Sequence, residues 1–77
     1  MLDVLVLTTK EILFEGRAHN AIFPGEMGVF EVLPFHKPLL TRIISGIIII
    51  DDLSLSVSRG IVKVQSNKVT AIVEKAE

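Results

Sequence analysis

The sequence predicts an all-β domain built from two packed sheets. In Leu53–Ser58, leucine and valine alternate with serine, which is the period-two pattern of a strand with one wet face. Turn-forming residues recur at short intervals and leave room for about nine or ten short strands. The best helical candidate, Val32–Ile44, is interrupted by Pro34 and Pro38. Two packed sheets are the usual way to bury many short amphipathic strands.

Two strands near the middle and the start of the chain carry apolar residues on both faces. In Leu2–Leu7, only Asp3 is polar, and Ile47–Ile50 is an unbroken run of isoleucine. Strands that are apolar on both faces are covered on both sides. We therefore expect Leu5, Leu7 and part of Ile47–Ile50 to need a cover from outside the domain.

The C-terminal part of the chain predicts a hairpin. Ile61–Gln65 and Val69–Val73 both alternate, and between them lies Ser66-Asn67-Lys68. Asn67 tolerates the left-handed conformation that a tight turn needs. The predicted turns are Thr8–Glu11, Pro24-Gly25, Gly28, Pro34–Pro38, Ser45-Gly46, Asp51-Asp52, Arg59-Gly60 and Ser66–Lys68.

The composition predicts one domain over residues 1–77 that contacts other proteins. Hydrophobic residues make up 49% of the chain and the mean hydropathy is +0.57, high for so small a domain. Ile43–Ile50 is far shorter than the ~20 residues of a spanning helix, so we expect no direct membrane insertion. The net charge of −1 and the absence of a basic cluster argue against nucleic-acid binding.

No constellation of residues predicts catalysis, a metal or a cofactor. His19 and His36 have no second ligand at metal-binding spacing, and the chain has no cysteine. Asp51-Asp52 has the character of a solvated hairpin tip rather than of an acid/base pair. Pro24–Gly28 contains two glycines but lacks the spacing and the following helix of a phosphate loop. We expect a protein that is not an enzyme.

One alternative is a small carrier domain of the lipoyl or biotinyl type. Glu74-Lys75-Ala76 is similar to the turn that carries the modified lysine in those all-β domains. In such domains the lysine sits on an exposed hairpin in mid-domain. Lys75 lies two residues before Glu77 in this sequence, which disfavours the alternative.

The ordered set of segments resembles the N-terminal domain of the epsilon subunit of the F-type ATP synthase. The resemblance spans the whole chain and is carried by Leu2–Gly16, Ile22–Thr41 and Gly60–Thr70, with His36-Lys37-Pro38-Leu39-Leu40 as its centre. It implies a ten-stranded β-sandwich of two five-stranded sheets, without cofactor. It also implies a rotor subunit that docks the gamma subunit onto the c-ring and couples proton or sodium flow to ATP synthesis. Such a subunit lies peripherally on the cytoplasmic face of the bacterial inner membrane.

The resemblance also implies two contact sets. Across both sets, the residues most expected to be exposed are Glu26, Val29, His36 and Thr41. The segment expected at the c-ring is Gly25, Glu26, Met27, Gly28, Val29, Phe30 and Glu31, and the residues expected at the gamma subunit are Thr8, His36, Lys37 and Thr41.

Three features depart from the family pattern. Phe35 and Glu31 stand where a small residue, often glycine, is usual. The C-terminal helical hairpin of the usual epsilon subunit is not represented in the 77 residues. The sequence is therefore expected to be either a short form or one domain of a longer chain.

Overall fold

The computed structural model describes residues 1–76, which form eight strands. No helix in this range is long and apolar enough to cross a membrane. The strands are β1 Leu2–Leu7, β2 Ile12–Ala18, β3 Ala21–Gly25, β4 Gly28–Val32, β5 Leu39–Ile43, β6 Gly46–Ile50, β7 Leu53–Gln65 and β8 Lys68–Lys75.

The strands form the two layers of a β-sandwich. Five strands in the order β2-β1-β8-β7-β5 make the first layer, in which β1 and β8 are parallel and the other pairs are antiparallel. Strands β4, β3 and β6 form the second layer with the first half of β7. The prediction of an all-β sandwich is confirmed.

The expected ten strands were not found: residues 1–76 contain eight. The first half of β7 pairs with β6 and its second half pairs with β5, so one strand of 13 residues serves both layers. The predicted turn at Arg59-Gly60 lies inside this strand, where the pairing with β8 shifts register between Val57 and Arg59. A bulge lets a strand bend and change sheets without ending it.

The core consists of residues that point inward from both layers. Alternate positions of β1 and β8 are buried, as the period-two pattern predicted, and Phe23 is the largest fully buried side chain. Among residues 1–76, no polar or charged residue is buried. The core is Leu2, Val4, Val6, Ala18, Ala21, Phe23, Val32, Ile43, Ile48, Ile50, Val57, Val62, Val64, Val69, Ala71 and Val73.

Two tight turns take the left-handed backbone conformation. Ser66 and Asn67 have φ angles of 52° and 62°, so the β7–β8 hairpin has the type I′ signature in which both central residues are left-handed. The φ of Asp51, in the β6–β7 turn, is 49°. The predicted turns at both places are confirmed, as is the left-handed conformation of Asn67.

Candidate protein-interaction surface

The segment predicted to meet the c-ring forms the β3–β4 hairpin and the edge strand β4. Gly25 pairs with Gly28, so Glu26 and Met27 form its tip. Gly28 has a φ of 125°, which favours glycine, and a Cβ on Gly25 would lie 2.7 Å from the ring of Phe30. Both glycines therefore serve the shape of the tip, where the Met27 residue is 95% exposed.

Backbone and side-chain contacts hold this hairpin against β5. The backbone N–H of Glu26 donates to the carbonyl oxygen of Arg42 at 3.1 Å, and the N–H of Ile44 donates to that of Pro24 at 2.8 Å. The Glu26 carboxylate lies 3.9 Å from the Arg42 guanidinium, with both side chains largely exposed. The hairpin is thus held through Pro24 and Glu26, while the Met27 side chain at its tip projects into solvent.

Three residues of the edge strand β4 differ in what they offer a partner. Val29 is 77% exposed, whereas the Phe30 ring turns inward and stacks on Phe23 with centroids 5.6 Å apart. The Glu31 carboxylate accepts a hydrogen bond of 2.7 Å from the side-chain amide of Asn20. Val29 is available for contact, and Phe30 has a role in the core.

The loop predicted to meet the gamma subunit contains a tight turn. The N–H of His36 donates to the carbonyl oxygen of Leu33 at 3.1 Å, and Phe35 has a φ of 67°. Proline at the second position and a positive φ at the third are the signature of a type II turn. His36 is half-buried, with Nδ1 2.7 Å from the carbonyl oxygen of Lys37, and Lys37 is exposed.

The four residues predicted at the gamma subunit do not form one patch. His36 and Lys37 lie beside the β7–β8 hairpin, at one end of the first layer. Thr8 follows β1 at the opposite end, where its hydroxyl oxygen accepts the N–H groups of Lys10 and Glu11 at 3.1 Å. Thr41 is half-buried because it pairs with the buried Val62 and faces the core side.

Thr9, which follows Thr8, lies beside the β3–β4 hairpin rather than beside the Pro loop. Thr9 and Glu26 line the same open groove of about 620 Å³, together with Arg42 and Arg59. Of the residues expected to be most exposed, Glu26 and Val29 are exposed, whereas His36 and Thr41 are only partly so.

An apolar row crosses the outer face of the first layer and was not recognised in the sequence. Leu7 pairs with Ile12 on one side and Ile72 on the other, and Ile72 pairs with Ile61. Ile12, Ile61 and Ile72 are exposed, and Leu7 is half-buried. Leu40 is also exposed, near the end of the row. In the sequence, Ile61 and Ile72 alternate with valines that the structure buries, and this alternation was the available signal for the row. The alignment of its four members depends on strand register, which the sequence does not give.

Two contacts link separate segments at the surface: Arg59 on β7 meets Glu74 on β8, and Asp51 in the β6–β7 turn meets His19 and Asn20 between β2 and β3. A hydrogen bond from Arg59 and the positive charge of its guanidinium lower the pKa of Glu74, and the same contact raises the pKa of Arg59. Desolvation raises the pKa of Asp51, but hydrogen bonds from the backbone N–H groups of His19 and Asn20 outweigh it, helped by the His19 side chain. The net effect is a lowered pKa for Asp51.

The structure places Lys75 at the end of β8 rather than on a hairpin. Lys75 pairs with Val57 across the sheet, and its ammonium lies 3.7 Å from the Glu11 carboxylate. Residues 1–76 contain no cluster of three potential metal ligands. The surface of residues 1–76 instead presents an apolar row, an exposed hairpin tip and a hydrogen-bonded loop. These three features define a β-sandwich suited to binding proteins.

The comparison with known families agrees with this class. The chain belongs to the family described as ATP synthase, Delta/Epsilon chain, beta-sandwich domain, whose model matches residues 1–77. The resemblance found in the sequence is therefore confirmed.

Curated relatives carry the name ATP synthase epsilon chain. The protein of Nitratiruptor sp. is 36% identical over 97% of this chain and 62% of its own length. The protein of Bordetella parapertussis is 35% identical over 97% of this chain and 57% of its own, and that of Herminiimonas arsenicoxydans is 37% identical over 95% and 56%. The chain thus spans about three fifths of the length of these relatives.

Solved structures share the fold at low sequence identity. A chain in the central stalk and c-ring of the Tetrahymena thermophila mitochondrial ATP synthase has a TM-score of 0.80 at 14% identity, covering 96% of this chain and 63% of that one. A chain in the Euglena gracilis mitochondrial ATP synthase has a TM-score of 0.88 at 14% identity, covering 99% and 52%.

Proposed function

We propose that this chain is the β-sandwich domain of a non-catalytic rotor subunit in the central stalk of an F-type ATP synthase. It docks the gamma subunit onto the c-ring and so couples proton or sodium flow to ATP synthesis. It acts peripherally, at the cytoplasmic face of the bacterial inner membrane. Membership of the delta/epsilon β-sandwich family is the observation that carries this proposal.

The surface geometry supports a domain with two partners. The tip with Met27 and Val29 lies at one end of the sandwich, and the loop with His36 and Lys37 lies at the other end of the first layer. A coupling domain must hold two partners at once, so separated contact sites suit it. Exposed apolar side chains at each site suit the larger and more apolar interfaces of permanent complexes.

Co-purification with the gamma subunit from the same source tests the proposal. We expect a stable one-to-one complex in size-exclusion chromatography, weakened by Lys37→Glu in the exposed part of the Pro loop. Met27→Ala at the other site is the matched control and leaves gamma binding unchanged. Thr41→Trp is less informative, because Thr41 faces the core side and a tryptophan there perturbs folding as well as binding.

Binding to purified c-ring in detergent tests the second contact. Val29→Asp places a charge on an exposed apolar contact and is expected to weaken c-ring binding at least tenfold, while gamma binding is retained. A folded wild-type domain that binds neither gamma subunit nor c-ring would contradict the proposed role.

A further inference from the structure

Phe35 combines an unfavourable backbone conformation with an exposed aromatic ring. Its φ of 67° lies in the left-handed region, where a bulky residue is a genuine outlier, and the residue is 90% exposed. No packing within residues 1–76 compensates for this conformation, because the ring meets solvent. Backbone strain that persists without packing gain is a recognised mark of a functional position.

The rest of the turn holds Phe35 in place. Its backbone N–H donates to the side-chain oxygen of Asn67 at 2.7 Å, and the N–H of His36 closes the turn onto Leu33. Asn67 is itself fixed in the β7–β8 hairpin, where its carbonyl oxygen accepts the N–H of Asp3 at 2.8 Å. The ring is therefore presented from a rigid base, which lowers the entropy lost on binding.

The charges around Phe35 are predominantly positive. Lys37 is two residues along the chain and Lys68 follows Asn67, and neither forms an ion pair within residues 1–76. Lys63 and Lys68 line one shallow depression on the outer face of the first layer. Asp3, the register partner of Lys68, lies 3.7 Å from the Arg17 guanidinium, so the positive charges of Lys37, Lys63, Lys68 and Arg17 outnumber this carboxylate.

We infer that Phe35 is an anchor residue that inserts into an apolar pocket bordered by carboxylates on the gamma subunit. The inference rests on the proposed function and adds the residue and the chemistry that fix the contact. A rigid aromatic ring supplies a large apolar contact, and the lysines steer it to an acidic rim. A glycine would relieve the backbone strain but would remove the ring, so the ring and the strain are retained together.

Two substitutions at Phe35 separate binding from folding. Phe35→Gly removes the ring and relieves the strained φ, so its thermal midpoint equals or exceeds that of the wild type. Phe35→Ala removes the ring and keeps the strain. We expect both variants to bind the gamma subunit at least tenfold more weakly in isothermal titration calorimetry. Ile44→Ala, which removes an exposed apolar side chain at the end of β5 away from the Pro loop, leaves the affinity unchanged.

Charge variants test the acidic rim. Lys68→Gln makes the net charge one unit more negative at the Phe35 site. Ser54→Glu makes the same change on the second layer and is the matched control. We expect only Lys68→Gln to weaken gamma binding and to reduce its salt dependence. Equal effects of the two variants would overturn the acidic rim.

The outcomes distinguish the inference from the proposed function. If the wild type binds the gamma subunit and both Phe35 variants bind within twofold of it, the anchor is refuted and the stalk role stands. If the folded wild type does not bind the gamma subunit, the stalk role fails and the anchor fails with it. A loss of affinity in Phe35→Ala but not in the stabler Phe35→Gly would show that the turn conformation matters and the ring does not.

Discussion

Single residues tie distant segments of this domain together, and Asn67 joins three of them. Its left-handed backbone shapes the β7–β8 hairpin, its carbonyl oxygen accepts the N–H of Asp3, and its side chain accepts the N–H of Phe35. Asparagine combines a tolerance for positive φ with a short side-chain acceptor. The residue therefore serves as a turn former and as a clamp for the Pro loop.

Two substitutions separate these roles of Asn67. Asn67→Gly keeps the backbone conformation and loses one hydrogen bond, which we expect to cost about 1 kcal/mol of unfolding free energy. Asn67→Ala loses the same bond and places a less tolerant residue at positive φ, which costs roughly 1 kcal/mol more. Urea unfolding followed by circular dichroism measures both, and equal losses would show that the turn carries no strain.

Acid should weaken two of the surface links. The pKa values of Asp51 and Glu74 are lowered from 3.8 and 4.5, so the folded state prefers the ionised carboxylates. That stabilisation is present above the unfolded-state pKa values and is lost as pH falls through the folded-state values. We expect urea midpoints to be flat near neutrality and to fall below about pH 4.5.

The double variant Asp51→Asn, Glu74→Gln provides the comparison for this prediction. It starts with a lower midpoint at pH 7 and should lose less than the wild type between pH 5 and pH 3. Parallel curves for the two proteins would mean that other carboxylates control the acid response.

At the scale of elements, β7 decides the architecture because it belongs to both layers. Its first half pairs with β6, its second half pairs with β5, and the register shift near Val57 accommodates the change of direction. Gly60 follows that bend, where the backbone of β8 approaches closely. A Cβ there would lie 2.7 Å from the Cγ1 of Val73 and 2.9 Å from its Cα. Glycine is needed at this point for space.

Gly60→Ala is therefore expected to destabilise the domain by about 1–3 kcal/mol, the usual cost of overpacking. Gly16→Ala is the matched control, since a Cβ in the middle of β2 meets only the Phe14 ring at an ordinary 3.6 Å. Thermal unfolding should show a clear loss for the first variant and little change for the second. Equal midpoints would show that β7 and β8 separate without cost.

At the scale of the whole molecule, apolar residues exceed what a 77-residue core can bury. The row formed by Leu7, Ile12, Ile61 and Ile72 stays on the outside of the first layer, and of its four members the sequence predicted only Leu7 to need a cover. Half-buried Leu5 and Leu7 and exposed Ile47 fit the expectation that parts of the surface lack a cover. Contiguous exposed apolar residues favour association with another protein.

The isolated domain is expected to self-associate weakly through this row. Sedimentation equilibrium at high concentration should show a reversible rise in mean mass, and Ile72→Lys should abolish it by placing a charge in the centre of the row. A clean monomer of the wild type at high concentration would count against this prediction.

Local sequence pattern determined the all-β class, the inward residues of β1 and β8, and the turns at Asp51 and Asn67. These features follow from period-two alternation and from the φ preferences of a few residues, which act over short distances. The resemblance added the family and the contact sets.

Tertiary structure alone decided the strand count, the separation of Thr8 from His36, and the inward direction of Thr41. It also aligned the apolar row and brought Asn67 against Phe35, residues 32 positions apart in the chain. Register and strand order are set by the joint packing of all strands, so no short segment contains that information.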